Sequence, residues 1–166
     1  LIKFVFVNII FKNIIFVTAL LLLPYLLCAT HNRAGEITYR QTSALTIELT
    51  ITTYTKASSV AADRDSLDVF WGDGTNQFVK RDNSKTRFEP NDIKINYYIA
   101  FHTYPGAATY TISFLDPNRV GGILNVNYPN SIDIPFFLST TFTLLDQQFQ
   151  GFNNSAILLQ PPIDIG

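Results

Sequence analysis

A chain of 166 residues that is 47% hydrophobic and only 15% charged is too apolar for a disordered polymer and has the length of one core rather than two. Its formal charge of −1 supplies no basic field, which excludes charge-driven binding to nucleic acid or to an anionic membrane surface.

Residues 1–29, LIKFVFVNIIFKNIIFVTALLLLPYLLCA, carry Lys3 and Lys12, no acid, and then an apolar run from Ile14 to Ala29. Basic residues followed by an apolar stretch and a small residue are the order of an export signal, so we expect a signal helix cut between Ala29 and Thr30. Two alternatives stay open: an uncleaved anchor, for which the run is long enough, and lipidation of Cys28, against which the bulky Leu27 stands. The chain begins with leucine and has no methionine, which fits either a fragment or a leucine-read start codon. Loss of the signal would remove Lys3, Lys12 and the only cysteine. The mature part, 30–166, would then hold 10 basic against 13 acidic residues, a formal charge of −3, and no disulfide.

Beyond Thr30 the hydrophobic period is two, the spacing of side chains on one face of a strand. The residues 35–41 predict a first strand. In ALTIELTITTYT, 44–55, Leu45, Ile47, Leu49 and Ile51 share one face while Thr46, Glu48, Thr50 and Thr52 share the other. The stretch KASSVAADRDS, 56–66, is short and rich in Ser and Asp, and reads as a loop or a single turn. Strands are then expected over 66–71, 76–82 and 93–104. In ATYTISFLD, 108–116, Tyr110, Ile112 and Phe114 point inward against Thr109, Thr111 and Ser113. Further strands are expected over 121–128, 133–145 and 155–160, with turn clusters rich in Gly, Pro, Asn and Asp between them. The tail from Pro161 to Gly166 reads as a linker, since Pro161 and Pro162 deny a ladder its hydrogen bonds. Many short, Thr-, Tyr- and Phe-rich strands without helical periodicity predict an all-β antiparallel sandwich over 30–160.

The stretch VFWGDGTNQFV, 69–79, bears most directly on function. A phosphate loop requires a Lys-Ser/Thr pair opening a helix, and none follows Gly74. Asp63, Asp65, Asp68 and Asp73 are hard ligands close in sequence, but the spacing is not that of a D-x-D-x-D-G loop with a distal Glu. No cofactor is therefore expected, calcium being the one alternative these acids leave open. The remaining reading is architectural: a tight corner in which glycines supply positive φ and Asp73 caps the turn.

VFWGDGT followed by AFHTYPGAATYTISF resembles the polycystic-kidney-disease (PKD) family of immunoglobulin-like domains. The matching positions are Trp71, Gly72, Asp73, Gly74 and Thr75, then His102, Tyr104, Gly106, Tyr110 and Ile112. That resemblance implies an immunoglobulin-like, PKD-like sandwich, with 75–101 accommodating an inserted hairpin. A broader resemblance, carried by ATHNRAGEITYRQ, TYTKASSVAADRDSLDVFWGDG and LDPNRVGGILNV, is to the N-terminal regions of gliding-motility-associated C-terminal-domain proteins. It implies an exported, type IX-secreted cell-surface protein of which this chain is the front end.

Catalytic patterns are missing by type. His31 and His102 are the only histidines, and no H-E-x-x-H, cysteine pair or G-x-S-x-G is present. His102 is expected to hydrogen-bond across the sheet near the Gly-Asp-Gly corner. Glu36, Glu48 and Glu89 are glycosidase candidates by residue type alone. Tyr97, Tyr98, Tyr104, Tyr128 and Phe136 could form a sugar-stacking platform, but such aromatics are also what fills a core without cystine, and core packing is the reading we expect for each. The sequence thus predicts a non-enzymatic, secreted or cell-surface module, structural or adhesive. Its expected partner is a surface glycan or protein, met through the loops 63–66 and 118–122, and it touches membrane only through the signal segment during export. The alternative is a carbohydrate-binding accessory module of a secreted hydrolase.

Overall fold

A computed structural model describes residues 31–145 and 147–157; the expected signal segment, its cut after Ala29 and the linker 161–166 lie outside them. Eight strands form within the described residues: β1 (Asn32–Gln41), β2 (Thr46–Lys56), β3 (Ser66–Phe70), β4 (Asn76–Lys80), β5 (Arg87–Glu89), β6 (Ile93–Thr103), β7 (Thr109–Asp116) and β8 (Phe136–Thr143). They make two four-stranded antiparallel sheets, ordered β1-β2-β6-β5 and β4-β3-β7-β8. The body is the all-β sandwich that the period of two predicts. Among the described residues helix is confined to the short turns Val60–Ala62, Ser131–Asp133 and Gln147–Gln150.

Alternation decides which side chains fill the space between the sheets. Ile47, Leu49 and Ile51 of β2 face Tyr98 and Ala100 of β6 on one side and Val69, Ile112 and Phe114 of the second sheet on the other. Burying an aliphatic side chain of this size stabilises by roughly 1.5–3 kcal/mol, so this layer is the main source of cohesion in a body without cysteine. From Ile51 to Thr55 the alternation fails because both faces of β2 are covered. Tyr54, Ile93 and Ile95 form a second small cluster against Ala34 and Tyr97.

The open sides of the sandwich are stitched by backbone. After β4, Arg81 forms an antiparallel bridge to Tyr98, and the Asp82 amide donates to the Tyr97 carbonyl at 2.8 Å. On the far side Asn32 pairs in parallel with Arg119, and the amides of Asn32 and Val120 bond Asn118 and Asn32 at 2.9 Å. The C-terminal chain returns to the β1 edge, where the amides of Gln41 and Ser155 bond the carbonyls of Asn153 and Tyr39.

Several expected elements differ. Residues 121–128 are turns, not a strand: Leu124 is exposed and Gly122 takes a φ of 79°. The strand expected over 133–145 starts only at Phe136, because Ser131–Asp133 coil into a 3-10 turn and Arg119 pins the carbonyls of Ile134 and Pro135 at 3.0 Å. Of the strand expected over 155–160, residues 155–157 are irregular and 158–160 lie outside the described residues. Within 75–101, β5 forms an antiparallel hairpin with the start of β6, pairing Arg87 with Ile95 and Glu89 with Ile93, while β4 belongs to the other sheet, the chain crossing between sheets at Arg81.

Candidate functional site

The residues singled out around the Gly-Asp-Gly corner converge at one end of the sandwich. Trp71 directly follows β3, and its amide donates to the Thr75 carbonyl at 3.0 Å, closing the turn. Asp73 caps that turn: its Oδ1 accepts the Thr75 amide at 3.0 Å and the Thr75 hydroxyl at 2.6 Å. Its Oδ2 lies 2.7 Å from His102 Nε2, on the last turn-ward residues of β6. The indole of Trp71 stacks on the His102 ring at 4.4 Å and 7°, and the Tyr104 ring meets that imidazole edge-on at 4.6 Å. The Tyr104 hydroxyl donates to the Trp71 carbonyl at 3.0 Å, Tyr110 stacks on Tyr104 at 4.0 Å, and the Tyr110 hydroxyl donates to the Gly106 carbonyl at 2.8 Å. Trp71, Asp73, Thr75, His102, Tyr104, Gly106 and Tyr110 therefore belong to one contiguous assembly, with Gly72 and Gly74 in its turn.

Its chemistry is that of a closed joint. Burial opposes ionisation of Asp73, but the hydrogen bonds from Thr75 and His102 outweigh it and hold the carboxyl down at about 2. Burial pushes the Tyr104 phenol up, so that hydroxyl stays a neutral donor. The indole Nε1 of Trp71 is buried with no partner, a cost the stacking and burial of the ring must offset.

A carboxyl whose folded value lies below its ordinary 3.8 contributes stability that is fully present above 3.8 and is lost as pH falls through about 2. The contribution is roughly 2 kcal/mol at neutral pH. We expect Asp73→Asn to lower unfolding free energy by about that amount at pH 7, with the gap to wild type closing toward pH 2. Urea denaturation across this range measures it; a gap independent of pH would remove the ion from the account.

A second polar cluster, not legible in the sequence, bridges the two sheets at another place. Asp63 Oδ2 lies 2.6 Å from Lys94 Nζ, and its Oδ1 lies 2.7 Å from Arg81 and 3.6 Å from His31 Nε2. Asp63 is held below the usual carboxylate range: burial opposes this, but the hydrogen bonds from Lys94 and Arg81 prevail. Buried Asn96 donates to Thr55 Oγ1 at 3.0 Å, and the Tyr98 hydroxyl donates to the Arg64 carbonyl at 2.7 Å. Alongside, Arg64 binds buried Asp116 at 3.0 Å.

His31 is buried here with Nδ1 unpartnered, and burial lowers its pKa despite the nearby Asp63 and Asp116. Because the folded state favours the neutral ring, its stabilisation is complete above 6.5 and declines as pH falls below that value. Stability measured from pH 7.5 to 5 should fall more steeply in wild type than in His31→Gln. Parallel slopes would exclude the ring as the titrating group.

The other expected site residues are dispersed. Asp65 and Asp68 engage Ser66 and Asn76, so the four acids of 63–73 do not gather, and among the described residues no three His, Cys, Asp or Glu side chains converge. The tyrosine platform is not assembled: Tyr98, Tyr104 and Phe136 are buried in the core, while Tyr128 lies exposed in the 121–130 turns. The loops 63–66 and 118–122, expected as contact points, close the sandwich through Asp63 and through the Asn32 pairing and leave Arg64, Asp65, Gly121 and Gly122 exposed. The chain matches no family model, no curated protein and no solved structure.

Proposed function

We propose that this chain is an exported, non-catalytic module of immunoglobulin-like, PKD-like type, structural or adhesive in role, at the front of a gliding-motility-associated surface protein. The observation that carries the reading is the corner assembly, in which Asp73 and His102 are spent on holding Trp71, Tyr104 and the turn in place. With Nε2 turned to Asp73 and one ring face covered by Trp71, the imidazole is packed as part of the corner, which supports a structural role.

The strand order adds support. If β1 to β8 are taken as A, B, C, C′, D, E, F and G, the sheets read A-B-E-D and C′-C-F-G, as in immunoglobulin-like sandwiches. The Tyr110 hydroxyl bonding back to Gly106 from the start of β7 has the form of a tyrosine corner, and buried Ile112 stands two residues on, where antibody domains carry a cystine. The order of charge and apolar residues in 1–29 supports export.

Expression of the full chain with a C-terminal epitope tag in a Gram-negative bacterium tests the reading. The tag should leave the cytoplasm, and the processed protein should begin at Thr30. Cytoplasmic retention with residues 1–29 intact would overturn it.

A further inference from the structure

The outer face of the β4-β3-β7-β8 sheet departs from the usual polar covering. Register places Phe78 of β4 opposite Asp68, Phe70 of β3 opposite Ser113, and Leu115 of β7 opposite Phe137 of β8. These four apolar side chains are 69%, 47%, 55% and 53% exposed and make a staggered stripe with one member on each strand: Phe70 stands one cross-strand row away from the other three, and Asp68 takes the β3 place in their row. At the strand spacing of such sheets the stripe is about 14 Å long between its outer strands. Beside it the same face carries rows of neutral hydroxyls. Thr109 pairs with Thr143 and Thr111 with Thr141, each at 2.9 Å between oxygens, and Ser113 faces Ser139. Charge on this face is limited to Asp68, already bonded to Asn76, and Lys80 at the edge strand.

We infer that this face binds a neutral glycan chain laid across the strands, the Phe78–Phe70–Leu115–Phe137 stripe taking the apolar faces of sugar rings and the hydroxyl rows taking their polar edges. The inference rests on the adhesive-module reading and names its ligand.

Two properties of the face select this occupant. With one carboxylate and one ammonium the face carries no net charge, which matches an uncharged polymer and gives an acidic polysaccharide, a nucleic acid or an anionic headgroup only the edge residue Lys80 as a counter-charge. Its area, about 300 Å² where all four strands run, falls well short of the roughly 800 Å² per partner that a stable protein interface buries, which argues against a second copy. Aromatic stacking with rows of neutral hydroxyls suits a ligand that is apolar on its flat faces and hydroxylated at its edges.

Affinity electrophoresis of the full chain in native gels tests it, with a soluble β-glucan, a xylan and a galactomannan as neutral probes and polygalacturonate as the acidic one. At least one neutral polymer should retard the protein, and Phe70→Ser with Phe137→Ser should weaken retardation by about tenfold for each of the two stacked rings lost. Phe78→Ser, at the most exposed position of the stripe, repeats the test should the double variant fold poorly. Absence of retardation by every neutral polymer, retardation unchanged in the variants, or retardation by polygalacturonate alone would overturn the inference. Concentration-dependent self-association abolished by the same changes would also overturn it, because a second copy would then cover the stripe. A protein that reaches the cell surface but ignores all polymers defeats only this inference, whereas one that binds glycan but stays in the cytoplasm defeats only the export reading.

Discussion

Gly72→Ala should lower the unfolding free energy by about 3–5 kcal/mol, enough to threaten folding of a body whose total stability is of the order of 5–15 kcal/mol. Gly72 has a φ of 83°, which costs an L-residue about 1–2 kcal/mol in itself. The larger part comes from space. A Cβ there would sit 2.4 Å from the Thr111 carbonyl oxygen and 2.7 Å from the Thr111 amide nitrogen, and both are backbone atoms of central strand β7 that cannot swing away. Gly74 is the internal control. Its φ of 90° is as unfavourable, but nothing lies within 4 Å of its added Cβ, so Gly74→Ala should cost only the conformational part. Denaturant titration of the two variants separates the effects, and equal losses at both positions would refute the steric argument.

Trp71→Ala should cost a similar 3–5 kcal/mol, the range for emptying a large aromatic from a packed interior. The indole is fully buried, and it forms the floor on which the His102 ring stacks. Its removal leaves His102 and Tyr104 facing a void, so Tyr104→Ala added to Trp71→Ala should cost less than the sum of the two separately. Thermal unfolding followed by circular dichroism is the suitable measurement, since the variant loses the sole tryptophan and with it the fluorescence signal. A loss near 1 kcal/mol would mean that the unpartnered indole nitrogen had already cost most of what burial contributes.

How much of this was legible depends on whether a residue's neighbours lie close in the chain. Ile47, Leu49, Ile51, Tyr110, Ile112 and Phe114 announce their faces because one face of each strand is buried and the other is not. β5 leaves no such trace, as its three residues are all exposed and its only order comes from pairing with β6. GGILNVNY misleads in the opposite direction: Leu124, Val126 and Tyr128 alternate with asparagines like a strand, yet turns form. The corner was readable because Gly-Asp-Gly is local chemistry, and the hydrogen bond expected of His102 across the sheet near that corner is the one it makes with Asp73. The Asp63 cluster was not readable. Arg81 and Lys94 lie 18 and 31 residues away, and only the passage of the chain from one sheet to the other brings them to that carboxylate.

The return of Asn153–Ser155 to the β1 edge determines how the domain would bear tension. A pull entering from beyond Ser155 reaches the Tyr39 contacts first and the Gln41 contacts only afterwards, so the bonds part singly, like teeth of a zip, instead of sharing the load. That short seam therefore stands between such a pull and the β1-β2 ladder behind it.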